Sequence, residues 1–117
     1  SSAFIFSLLM NPNISYIFKK NKGFCIFSFI KEEAEIITMT VLPKYQNKGI
    51  GFLILKELED FLLKTDCKKI FLEVATNNLN AIHLYRKAGF KKCGIRKNYF
   101  FISKEKKVNA ILMEKFL

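Results

Sequence analysis

The six residues Gln46-Asn47-Lys48-Gly49-Ile50-Gly51 constrain this chain more than any other segment, because they join a β-branched run to an amphipathic helical one. Glycines in a strand-to-helix loop let the backbone come close to an anion. The first-turn N–H groups of the following helix have no partners of their own, and the helix dipole adds positive potential. Such a loop can cradle a pyrophosphate with backbone alone, and it can equally be a plain tight turn. It is not a Walker loop, since no Lys-Ser/Thr follows the second glycine, and it lacks the third glycine of a dinucleotide fingerprint.

The pattern around the loop predicts the rest of the fold. The run at 3–10 reads as the end of a helix, stopped by Asn11-Pro12-Asn13. Strands are predicted at 14–19, 24–30 and 35–41, from their β-branched and aromatic content. A hairpin turn at Asn21-Lys22-Gly23 is expected to use positive φ at the glycine. Pro43 ends the third strand. The helix after the loop runs to about Lys64, with Ile50, Leu53, Ile54, Leu58, Phe61 and Leu62 on one face and Lys56, Glu57, Glu59, Asp60 and Lys64 on the other. A strand follows at 69–74. Asn78 or Asn80 then caps a short helix through Ala88, which Arg86, Lys87 and Gly89 terminate. Segments 90–96 and 108–113 read as a final strand pair around a polar loop. This order describes a mixed α/β sheet, mostly antiparallel, with crossover helices in the middle.

Composition bounds the function. Half of the 117 residues are hydrophobic, enough for one domain over residues 1–117 with its own core. No run reaches the roughly 18 apolar residues that would span a bilayer. The apolar start has no basic residue before it and does not read as a signal peptide. The chain opens on Ser1 rather than Met, which reads as an incomplete N-terminus. Cys25, Cys67 and Cys93 lie far apart, and His83 is the sole histidine, so no metal site is expected. Free thiols suit a reducing cytosol. The net charge of +10 favours a phosphate-bearing or acidic partner, such as coenzyme A or a ribosome, although scattered lysines also follow from a Lys-, Ile-, Asn- and Phe-rich composition. Two short basic runs, Lys19-Lys20 with Lys22 and residues 104–107, fall at predicted turns.

Longer motifs carry a family resemblance. Thr40-Val41-x-Pro43-x-Tyr45-Gln46-x-x-Gly49-Ile50-Gly51 resembles the acetyl-coenzyme A loop of the GCN5-related N-acetyltransferases. Leu72-Glu73-Val74-x-x-x-Asn78-x-x-Ala81-x-x-Leu84-Tyr85-x-x-x-Gly89-Phe90 resembles the second half of that fold. Ile95-Arg96-Lys97-Asn98-Tyr99-Phe100 and Asn109-Ala110-Ile111-Leu112-Met113 are similar to the RimI-like branch, the ribosomal-protein alanine N-acetyltransferases. The resemblance covers roughly residues 14–117. It implies the family's α/β fold with the N-terminal strand and helix missing, and those elements help form the acceptor groove in relatives.

The resemblance also implies a chemistry. Acetyl-coenzyme A is the co-substrate and the acceptor is a protein N-terminal α-amine, on this branch that of small ribosomal subunit protein eighteen, with no membrane or nucleic-acid partner. Its pyrophosphate belongs on the amides of Asn47, Lys48, Gly49, Ile50, Gly51 and Phe52, with Gln46 a further coenzyme-binding residue. Asn47 stands where the family's first basic loop residue usually is, and Lys48 partly replaces it. Met39, Thr40 and Val41 offer backbone to the pantetheine arm, because this strand splays from its neighbour in the family, and an N–H there can hold an oxyanion. Asn78 hydrogen-bonds the same arm, besides its plain role as a helix cap.

Glu73 is the implied general base. It is the one charged residue in an apolar strand, where alternation sets it with Phe71 opposite Ile70, Leu72 and Val74. Tyr85 is the implied acid for the leaving thiolate, and its plain alternative is a core tyrosine. His83 is expected on the surface or in packing, and Cys67 and Cys93 in packing. Tyr99 and Phe100 line the acceptor site or pack on their strand. Two other readings stay open: a small-amine acetyltransferase, acting on a polyamine or an aminoglycoside, and a non-catalytic acetyl-coenzyme A binder. An acidic acceptor groove would favour the small amine, and Arg96 and Lys97 speak against such a groove.

Overall fold

The computed structural model describes residues 10–101 and 106–117, with the side chains of Phe100 and Phe101 excepted. The helix end expected at 3–10 and most of the basic run at 104–107 therefore lie outside the described residues. The chain runs through β1 (Ile14–Lys19), β2 (Gly23–Ile30), β3 (Glu33–Val41), a 3₁₀ turn (Pro43–Tyr45), α1 (Ile50–Leu62), β4 (Lys69–Ala75), α2 (Leu79–Lys87), β5 (Lys91–Phe101) and β6 (Lys107–Phe116). The six strands form one sheet in the order β1-β2-β3-β4-β6-β5. All pairs are antiparallel except β3 with β4. The expected mixed α/β architecture is present, with β5 and β6 longer than their apolar patterning marks.

Helices α1 and α2 pack on one face of the sheet. Ile54, Leu55, Leu58 and Leu62 of α1 and Ile82 and Tyr85 of α2 join Cys25, Phe27, Ile36, Ile70, Leu72, Val74 and Met113 in a single core. Strict alternation in β4 supplies three of these and sends Phe71 and Glu73 to the opposite face. The α1 face differs from the expected one. Leu55 is buried, whereas Leu53 and Phe61 are 52% and 44% exposed. The axis of α1 is rolled by its packing, and Phe61 meets Phe27 edge to face, at 6.0 Å between centroids. Lys115 of β6 ties the layers together, donating to Glu59 of α1 at 2.5 Å and to the Ala88 carbonyl beyond α2 at 2.7 Å.

The β1–β2 turn works differently from its sequence reading. Asn21 takes the left-handed conformation, at φ 60°. Gly23 is needed for proximity instead. A Cβ there would stand 2.5 Å from the Thr40 carbonyl oxygen.

The parallel pair positions the site. β3 and β4 pair only over Glu33↔Lys69, Ala34↔Ile70 and Glu35↔Phe71. Beyond that point the two strands part, so the later residues of β3 keep one backbone edge unpaired by β4. A register shift in the β2–β3 pairing beside Ile36 adds to the divergence.

Candidate active site

The loop from β3 to α1 is shaped by two left-handed residues, Asn47 at φ 60° and Gly49 at φ 83°. Gly49 is the N-cap of α1 and offers no side-chain cap. The first helical bond runs from the Leu53 N–H to the Gly49 carbonyl at 3.0 Å. The amides of Ile50, Gly51 and Phe52 thus precede it and have no acceptor within the helix. No atom lies within 4 Å of where a Gly49 Cβ would be, so this surface is open to a ligand. Gly51 serves packing: its Cβ would meet a Leu84 methyl at 2.7 Å, and its absence lets α2 close against α1. The Gln46 side chain donates to the Val41 carbonyl at 3.0 Å and braces the loop.

These elements enclose a cleft of about 450 Å³. Of the residues singled out in the sequence, Met39, Val41, Gln46, Asn47, Gly49, Ile50, Gly51, Phe52, Asn78 and Tyr85 line it. Thr40, Lys48 and Glu73 do not. The first two are exposed beside the loop, and Glu73 points to the other face of the sheet. Asn78, not Asn80, caps α2, accepting from the Ala81 N–H at 3.3 Å. His83 is exposed and, like Lys87, lines the cleft.

Tyr85 reaches the cleft from the helix side. Burial, and secondarily the nearby Cys25, push its phenol well above the usual range, so it keeps its proton at physiological pH. Cys25 responds to the same surroundings, its thiol pushed up to about 12 by burial.

Glu73 stands on the opposite side of the opening. One oxygen, Oε1, accepts from Arg96 Nη2 at 2.8 Å, and the side chain is only 16% exposed. The other, Oε2, is out of solvent with no hydrogen-bond donor among the described residues. Arg96 in turn lies over the Tyr99 ring, 4.4 Å from its centroid. Arg96 is therefore engaged by a carboxylate and does not make this face basic, as its sequence context suggested.

Glu35 adds a carboxyl that the sequence did not single out. It shares a face with Phe71, its partner in register, and hence with Glu73. Burial first, then the Glu73 charge, raise its pKa, while Arg96 lowers it. No local motif marks it. Only the β3–β4 register brings it beside Glu73.

Tyr99 is placed by a break in β5, where pairing with β6 shifts between Arg96 and Phe100. Asn98 takes φ 52°, and its N–H donates to Asn109 Oδ1 at 2.9 Å. The Phe100 side chain lies outside the described residues. Cys93 is exposed rather than packed, and Cys67 is buried. Among the described residues, no three His, Cys, Asp or Glu side chains could hold a metal ion, and no helix is long and apolar enough to cross a membrane.

Comparison with known proteins adds to this geometry. The model of the acetyltransferase (GNAT) family matches residues 5–90. The ribosomal protein bS18-alanine N-acetyltransferase of Escherichia coli K12 is 37% identical over 81 residues, which are 69% of this chain and 55% of that protein. The chain thus spans about half the length of this curated relative. The crystal structure of the ribosomal-protein-S18-alanine N-acetyltransferase from Escherichia coli superposes with a TM-score of 0.88 at 28% identity, over 99% of this chain and 76% of that one. A GNAT acetyltransferase from Elizabethkingia anophelis, solved with acetyl-CoA bound, superposes with a TM-score of 0.83 at 25% identity, covering all of this chain and 84% of that one.

Proposed function

The chain belongs to the acetyltransferase (GNAT) family, and on that footing we propose that it moves the acetyl group of acetyl-coenzyme A onto the N-terminal α-amine of a protein. The observation that carries this reading is the opening between β3 and β4, with an amide-lined cleft and Tyr85 on one side and Glu73 on the other.

The coenzyme supplies a thioester: the amine nitrogen bonds its carbonyl carbon, the carbon–sulfur bond breaks, and the sulfur leaves. The chain's residues handle binding and protons. Backbone N–H groups from Asn47 to Phe52 hold the pyrophosphate, with Lys48 adding charge at the rim. The unpaired edge of β3 at Met39, Thr40 and Val41 takes the pantetheine amides and offers an N–H to the developing oxyanion. Asn78 adds a side-chain amide to the same wall.

An α-amine has a pKa of about 8 and is mostly protonated at pH 7. Glu73 accepts the proton that must leave, directly or through one water. Tyr85 gives the departing sulfur its proton, and solvent later restores the phenol. A buried phenol is a weak acid, but an anionic sulfur in these surroundings meets the same desolvation that raises the Cys25 thiol. Burial thus raises both proton affinities in the same direction, so it does not set the phenol further from the sulfur than it is in water.

The acceptor reading follows the named relatives: a ribosomal protein with N-terminal Ala, modified in the cytosol. A small first residue fits beside Tyr99. One observation favours a second reading. Glu35 next to Glu73 makes the acceptor side partly acidic, which suits a polyamine. Mass spectrometry of the full-length protein with acetyl-coenzyme A decides between them. The acceptors to compare are peptides starting with Ala, Ser or Gly, a blocked peptide with an internal Lys, and spermidine. The expected result is fastest turnover of the Ala peptide. Equal turnover of spermidine overturns the protein-acceptor reading and leaves the coenzyme site standing.

A further inference from the structure

We infer that Arg96 is the positioning residue of this site, holding Glu73 as an oriented carboxylate against the opposing presence of Glu35. This rests on the reading of Glu73 as the proton acceptor. Three observations support it. Arg96 Nη2 binds only Oε1 of Glu73, at 2.8 Å, leaving Oε2 without a donor. The guanidinium is itself braced on the Tyr99 ring, so its direction is set by β5 rather than by solvent. Glu35 lies on the same face at the last paired position of β3 and β4.

The sheet explains the geometry. Glu73 is opposite Leu112 on β6, and Leu112 is opposite Gly94 on β5. Glycine leaves that row without a β5 side chain. Arg96, two residues on and on the same face, reaches back across to the carboxylate. Among the described residues, the charged groups on this face beside Glu73 are Glu35 from β3 and Arg96 from β5, with the apolar Leu112 of β6 directly opposite; farther along the face, Lys69 of β4 pairs with Glu33 of β3 and Glu114 of β6.

The functional consequence concerns which oxygen reacts. A carboxylate with Oε1 held by the guanidinium presents Oε2 to the incoming amine, so Oε2 is the oxygen that takes the proton.

The test uses the full-length protein and an Ala-starting peptide. Arg96→Gln should lower kcat by about tenfold or more, part of the roughly 10²–10⁴-fold that a general base supplies. KM for the peptide should change less than kcat. Coenzyme binding by calorimetry and thermal unfolding should stay near parent values, because Arg96 is half exposed. Arg96→Lys should recover part of the lost kcat, since it keeps the charge but not the guanidinium geometry. An Arg96→Gln enzyme with parent kcat, or an Arg96→Lys enzyme that recovers none of the loss, overturns the positioning role. Loss of transfer in Glu73→Gln alongside such a result would leave Glu73 as base; normal transfer in Glu73→Gln would instead remove the base reading itself.

Discussion

Glu35 of β3 stands opposite Phe71 of β4 at the last position where the two parallel strands are paired, and the sheet opens immediately beyond them. A carboxyl thus sits at the apex of the opening, on the same face as Glu73. Its proton affinity is raised first by burial and then by Glu73. A carboxyl raised in the folded state binds its proton more tightly than in the unfolded chain, so its stabilising contribution is complete at low pH. It is lost as pH rises through the unfolded and then the folded value. Glu35→Gln should match the parent in stability below about pH 4 and exceed it toward neutrality. Thermal unfolding across that range measures the difference. A gap that does not change with pH would show that charge at Glu35 is immaterial.

Glu73→Gln keeps the size of the side chain and removes the proposed base. Coenzyme binding should be retained while kcat falls by about 10²–10⁴-fold at neutral pH. The deficit should shrink as pH passes the amine's pKa of about 8, where the acceptor arrives already neutral. Steady-state rates from acid to alkaline pH check this, and a deficit constant over the range would point to a structural role.

Gly49→Val acts on the loop. The residue sits at φ 83°, which a β-branched side chain adopts only with strain of about 1–3 kcal/mol. No neighbour is close enough for a clash, so stability should suffer only through that strain. The added methyls would fill the space an anion needs. Calorimetry should give at least about tenfold weaker coenzyme A binding; unchanged affinity would mean that the pyrophosphate lies elsewhere.

Gly23→Ala should hurt stability with no direct effect on chemistry. The new Cβ would meet the Thr40 carbonyl oxygen at 2.5 Å, and backbone cannot move aside as a side chain can. The expected loss is about 1–3 kcal/mol by urea unfolding. Gly49→Ala is the control, since it faces open space and carries only the left-handed strain.

Much of the candidate site's geometry was legible because its signals are local. The loop from Gln46 to Gly51, the Asn78 cap and the alternation that turns Glu73 away from Leu72 and Val74 each depend on neighbours in sequence. The strand and helix order followed from the same short-range periodicities, and the quoted motifs carried the family.

What stayed hidden depended on which strand lies beside which. Leu55 rather than Leu53 faces the core because α1 rolls to fit the sheet, and periodicity fixes a face only to within about a residue. Gly23 is required by the backbone of a strand 17 residues away in number. Glu35 and Arg96 carry no motif of their own for this task. They meet Glu73 through a parallel register on one side and a reach across Gly94 on the other. Sequence alone determined the elements, the glycine loop ahead of α1 and the sheet face on which Glu73 lies. Tertiary structure decided the charges around Glu73, because Coulomb interactions depend on distance in space and not on separation along the chain.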